Sequence, residues 1–183
     1  MTRARLLRDE SGAAIVEAAL VIPVLLLLTL GAIELSISIF LGASLESAVL
    51  QASRSGITGN TTGGVSREER IRDIIEENTY GFLDMDKVKI ETLVYSDFAD
   101  IGKPEPFEDA NGNGSYDMGE VFSDINGNGM WDPDMGAAGM GDTGDIVLYR
   151  VTYDWGIITP LIQAVLGNSM RHVSSVAVRN EPF

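Results

Sequence analysis

An apolar stretch of 21 residues, Ala13 to Ile33, carrying a single charge at Glu17, constrains this chain more than any other feature. About 20 apolar residues in helical form span the hydrocarbon of a bilayer, so the stretch predicts a transmembrane helix with Leu25 to Leu28 at its centre. Arg3, Arg5 and Arg8 precede it, and no other Lys or Arg occurs before Arg54. Basic residues stay on the cytoplasmic side, which predicts a single-pass chain with a cytoplasmic N-terminus and the rest outside. The run is too long for the apolar core of a cleaved secretory signal. It also continues past Glu34 as an amphipathic pattern, with Ile37, Leu41, Leu45, Ala48, Val49 and Ala52 on one face. One helix from Ala13 to Arg54 would be roughly 63 Å long, about twice the hydrocarbon thickness, so its second half must leave the membrane and pack on a folded domain.

That division orders the remaining sequence. Residues 1–12 read as a basic cytoplasmic leader, 13–54 as the transmembrane and amphipathic helix, and 55–183 as one extracytoplasmic globular domain with an acidic insertion at 105–144. Ser55 to Gly64 is rich in glycine and small polar residues and reads as a linker. Ser66-Arg67-Glu68-Glu69 is a capping box opening a short amphipathic helix to Tyr80, with Ile71, Ile74, Ile75 and Phe82 as its apolar stripe and Gly81 closing it. Alternation in Val88, Ile90, Thr92 and Val94, in Val147, Tyr149, Val151, Tyr153 and Trp155, and more weakly from Met170 to Val178 predicts half-buried strands of a small antiparallel sheet. Ile157 to Leu166 reads as a short helix packed into the core. The fold class is therefore α+β.

Within the apolar run, Glu17 costs about 2.5 to 3.5 kcal/mol on insertion scales and needs a partner or a raised pKa, unless it lies near the headgroups and snorkels to water. The residues around it carry a specific pattern: Gly12-Ala13-Ala14-Ile15-Val16-Glu17-Ala18-Ala19-Leu20, then Pro23, then Gly31-Ala32-Ile33-Glu34, with Arg179-Asn180-Glu181-Pro182 closing the chain. This resembles the TadE-like family, pseudopilins or minor pilins of the tight-adherence pilus system. The resemblance covers both ends of the chain and leaves the acidic middle as an insertion. It implies cleavage by a prepilin peptidase between Gly12 and Ala13, with Glu17 meeting the new amino group of a neighbouring pilin or pseudopilin subunit. It also implies inner-membrane pilus assembly proteins and the lipid bilayer as partners, and the bacterial inner membrane as location, with possible passage into a surface filament. A carboxylate paired with an amine inside the membrane would set the axial register between neighbouring helices.

The acidic insertion carries its own signal. Asp109 to Glu120 matches the calcium-loop pattern at Asp109, Asn111, Asn113, Gly114 and Glu120, with Asp117 in the ninth place and the Ser115 carbonyl in the seventh. Oxygen side chains at alternate positions converge on a hard cation, while the glycine permits the sharp turn. Asp124, Asn126, Asn128, Gly129 and Asp132 repeat the pattern fifteen residues on, but Met135 stands where the closing Glu belongs, so Asp134 or a carboxylate from elsewhere must substitute. Three residues separate the copies, which leaves no room for the helices of a paired EF-hand. The expectation is a bare tandem of EF-hand-like loops similar to dockerin loops, with Tyr116, Phe122 and Trp131 as a small apolar filling and Ca2+ in a structural role.

Other functions are disfavoured. Thirteen basic against 27 acidic residues give no basic footprint for nucleic acid. There is no cysteine for a disulfide or thiolate site. The single histidine, His172, has no nucleophile or phosphate-cradling motif beside it, so the chain does not read as an enzyme. The alternative to an assembly subunit is a membrane-anchored, calcium-dependent surface adhesin.

Overall fold

The computed structural model describes residues 11–57 and 66–181. Arg3, Arg5, Arg8, most of the expected linker and Pro182 lie outside them. The element order is α1 (Ser11–Ile57), α2 (Arg67–Asn78), β1 (Lys89–Tyr95), a 3-10 turn at Phe98–Asp100, β2 (Ala137–Ala138), β3 (Ile146–Gly156), α3 (Pro160–Leu166) and β4 (Ser169–Arg179). The sheet order is β2-β1-β3-β4, with β1 antiparallel to both β2 and β3. The α+β architecture with a long N-terminal helix and a small sheet is the one expected.

Two compact units make up the chain. One comprises the residues up to Phe40 with Asp154–Met170, the other Leu41–Tyr153 with Arg171 onward. In the first, α1 is an unbroken helix through Pro23, and Ile15, Leu20, Leu25, Leu28 and Ile33 stand exposed along it. Gly12–Gly56 is the one helical span long and apolar enough to cross a membrane among the described residues.

In the second unit, the expected amphipathic face of α1 is buried at Leu41, Leu45, Ala48, Val49 and Ala52. The helix runs past Arg54 to Ile57, so the linker begins later than expected. Within this extension Gly56 sits where only a hydrogen fits: a Cβ there would collide with the ring and hydroxyl of Tyr149 on β3. Gly56→Ala is expected to destabilise the domain by about 1–3 kcal/mol through overpacking. A thermal melt checks this, and an unchanged transition would contradict the packing.

The capping box at α2 forms as predicted: the Glu69 amide donates to the Ser66 hydroxyl at 3.1 Å and the Ser66 amide to the Glu69 carboxylate at 2.9 Å. Ile71 and Ile75 are buried, but Phe82 is exposed and Leu83 takes its place in the core. The helix ends at Asn78, and Tyr80 and Gly81 turn through positive φ, so the helical period no longer governs residue 82.

The sheet departs from half-buried alternation at β3, where Ile146, Val147, Leu148 and Tyr149 are all buried. Ile146 and Leu148 lie opposite Tyr95 and Leu93 of β1, and this face is covered by Met135 from the acidic insertion, by Ile101 just before it and by Ala177. Val147 and Tyr149 project from the other face, where Tyr149 meets α1. The insertion thus supplies a second layer. Asn180 fastens the end of that layer: its side-chain amide donates to the Met140 and Asp142 carbonyls, and its backbone amide to the Asp145 carbonyl.

Candidate functional site

The acidic insertion folds as two equivalent 15-residue halves paired back to back. Phe107 and Phe122 form an antiparallel bridge, flanked by the Glu108 amide donating to the Val121 carbonyl and the Ser123 amide to the Pro106 carbonyl, each at 2.8 Å. A shift of fifteen residues turns one bond into the other, which is an internal pseudo-two-fold. The aromatic residues obey it too. Tyr116 and Trp131 stack with centroids 4.6 Å apart and planes 10° apart. Phe107 meets Trp131 edge-on at 5.9 Å, and Phe122 meets Tyr116 edge-on at 5.8 Å. The expected filling of Tyr116, Phe122 and Trp131 is present, with Phe107 as its fourth member.

Around this filling each loop closes on its own first aspartate. Asp109 accepts from the amides of Gly112, Asn113 and Gly114, and Asp124 accepts from Gly127, Asn128 and Gly129. Gly114 and Gly129 take positive φ, near 77° and 79°, as the turn demands. Asn111 accepts from the Asn113 amide and Asn113 from the Ser115 amide, with Asn126 and Asn128 repeating both contacts. The side-chain amides of Asn111 and Asn113 converge on the Asp117 carboxylate, and those of Asn126 and Asn128 on Asp132. The Gly114 amide foremost holds the Asp109 carboxyl below its usual range, and the Asn126 side chain foremost does so for Asp132. Both therefore stabilise the loops above the ordinary carboxylate range and lose that contribution as pH falls through their depressed folded values.

The closing glutamates are exchanged between the halves. Glu120 accepts from the Ala110 amide with one oxygen and the Asp117 amide with the other, both at 2.9 Å. In the second loop the same two places, Ile125 and Asp132, donate to the two oxygens of Glu105, at 2.7 and 3.1 Å. Glu105 is fully buried and lies nineteen residues upstream of Asp124. It occupies in the second loop the place that Glu120 occupies in the first. Asp134 is engaged differently, accepting from the Tyr95 hydroxyl at 2.7 Å and facing Arg150 at 3.7 Å. Burial, with the hydrogen bond to Asp134 next, pushes the Tyr95 hydroxyl up to about 12. Met135 packs on the Tyr95, Ile146 and Leu148 cluster, so the position that would have closed the loop serves the sheet.

Sequence reasoning missed Glu105 although the repeat carries it: Glu105, Phe107, Asp109 and Glu120, Phe122, Asp124 are the same triplet at period fifteen. A search for a closing Glu at the twelfth place of each loop looks downstream, whereas this repeat begins with the glutamate. All the donors are hard oxygens from Asp, Asn, Glu and the Ser115 carbonyl, a set that suits calcium over nitrogen- and sulfur-preferring metals. Among the described residues, His, Cys, Asp and Glu nowhere gather in threes as a metal site.

Gly12, Ala13 and Glu17 lie together on the first turns of α1, all exposed. Glu34, which the sequence left without a role, is 3% exposed, accepting from the Ile158 amide at 2.9 Å and the Thr159 hydroxyl at 3.0 Å. The contact joins residues 124 and 125 apart, which no local pattern discloses. His172 is half-buried beside Gly42, and burial lowers its pKa.

Residues 12–54 match the family model of TadE-like proteins. No curated protein and no solved structure matches the chain.

Proposed function

We propose, from this TadE-like N-terminal segment, that the chain is a pilin-like structural or assembly subunit, a pseudopilin or minor pilin, of a tight-adherence-type pilus or secretion system, with calcium ordering its inserted domain. The observation that carries the reading is the coincidence of the family match, 12–54, with the single helix Ser11–Ile57 that is exposed along its apolar half and buried along its amphipathic half. TadE-like proteins are structural, and the chain's own chemistry runs the same way. Removal of Met1 to Gly12 by a prepilin peptidase leaves Ala13 as a free amine and Glu17 one turn along the helix. In a neighbouring subunit that carboxylate meets the amine, and the pair offsets the cost of burying either charge alone.

Calcium fits the insertion. Asp109, Asn111, Asn113, Ser115, Asp117 and Glu120 hold one ion, and Asp124, Asn126, Asn128, Asp132 and Glu105 the other. The ion supplies positive charge that offsets repulsion among the carboxylates, with dissociation constants on the order of 0.1–1 mM sufficing outside the cell. The chain's residues fix the loops: the glycines permit the turns, the exchanged glutamates lock the halves, and the four aromatic residues fill the space between them.

Glu17→Val tests the assembly role. The variant is expected to reach the membrane and be cut normally, yet to lose crosslinking to neighbouring pilin subunits through a cysteine placed at Ala18. Undiminished crosslinking would reject the register function of Glu17. A surface adhesin predicts a different outcome, intact assembly with lost attachment when Asp109 and Glu120 are changed.

A further inference from the structure

We propose that α3 and the loop preceding it form a second membrane-contacting element, lying in the outer lipid interface beside the last turns of the anchor. The proposal rests on the reading of Ala13–Ile33 as a membrane span. At about 1.5 Å per residue those 21 residues extend roughly 31 Å, which fills the hydrocarbon and sets residues 31–34 at its outer edge. The loop and α3 are tied to α1 at that level. The Cδ1 of Ile162 lies 3.4 Å from the place a Cβ on Gly31 would occupy, and the Ile158 amide and Thr159 hydroxyl hold Glu34.

The sequence led us to expect this segment in the core. Ile157 and Ile162 are buried, but Ile158 is 63% exposed, Leu161 47%, Val165 68% and Leu166 58%. No charged residue occurs between Asp154 and Arg171. The polar groups turn inward: the Gln163 side chain donates to the Ile157 carbonyl, the Gly167 amide closes on the Gln163 carbonyl, and Pro160 at the start of the helix has no N–H to satisfy. This element packs on α1 at Gly31 and Glu34 and turns its aliphatic side chains outward, at the level of the span where Leu28 and Ile33 are themselves exposed. Bilayer lipid is the occupant that this level selects. Burial of Glu34 follows from it, since the loop shields that carboxylate where the helix emerges from the hydrocarbon.

The chain has no cysteine, so single cysteines report cleanly. Leu26→Cys, Leu161→Cys, Val165→Cys and Ile125→Cys variants of the full chain would carry an environment-sensitive fluorophore in phosphatidylethanolamine–phosphatidylglycerol vesicles with or without 5-doxyl phosphatidylcholine. The expected result is blue-shifted emission lost to the lipid nitroxide at 26, 161 and 165, and water-like emission at 125. Quenching at 26 with water-like, iodide-sensitive emission at 161 and 165 overturns the inference and leaves the anchor standing. No lipid quenching at 26 removes the anchor reading and this proposal with it. Emission at 161 and 165 that is blue-shifted, insensitive to lipid nitroxide and reversed by diluting the protein in lipid assigns the face to a second copy and also overturns it.

Discussion

Calcium is expected to raise the unfolding free energy of the full chain by about 2.7 kcal/mol per site when present at a hundred times its dissociation constant, and Glu105→Gln to abolish about half of that rise. Two loops of equivalent construction give two such increments, and Glu105 closes only the second. The neutral amide of glutamine retains one acceptor oxygen for the Ile125, Asn126 and Asp132 amides that converge on Glu105, but it offers no second oxygen and no charge to the ion. Because Glu105 is fully buried, the variant should also lose about 1–3 kcal/mol without calcium, so the informative quantity is the difference between calcium and chelator for each protein. Fluorescence of Trp131, stacked on Tyr116 between the loops, reports the transition. Asp134→Asn is the matched comparison. Its carboxylate faces Tyr95 and Arg150, and its calcium response should equal that of the unaltered chain. A full calcium response in Glu105→Gln, or its loss in Asp134→Asn, would contradict the exchanged-glutamate arrangement.

Local patterns disclosed local structure. The capping box at Ser66, the strands β1 and β3 and the apolar face from Leu41 to Ala52 all depend on neighbours within a few residues, and all formed. The loop signatures at Asp109 and Asp124 were legible for the same reason, each being written in twelve consecutive residues or fewer. Long-range choices were not. Glu105 reaches the second loop from nineteen residues upstream, and Glu34 binds a loop more than 120 residues away. The burial of both faces of β3 depends on an insertion whose composition reads as acidic and exposed. Phe82 and Leu83 exchanged roles because a left-handed turn at Tyr80 and Gly81 broke the helical period one turn early. The apolar residues of α3 were read as core because in water a short apolar run belongs there; beside a membrane span the same residues have a second apolar solvent.

Gly12→Ala is expected to leave the fold untouched and to block maturation outright. A Cβ at Gly12 meets nothing within 4 Å, and alanine is favoured over glycine within a helix by about 1 kcal/mol, so the substitution carries no structural penalty of its own. Any loss of processing therefore reports on the peptidase's requirement for a residue without a side chain before the cut. Everything proposed for Glu17 depends on that cut, since the partner of its carboxylate is the amino group released at Ala13. The adhesin alternative needs no such event.

The central claim is tested most directly by the intact mass of the protein recovered from membranes of a host carrying the cognate prepilin peptidase, beside that of Gly12→Ala. The account predicts an unaltered chain lighter by Met1 to Gly12 and a variant of full length. A full-length mass for both, or a cut within or after the apolar run, would contradict it.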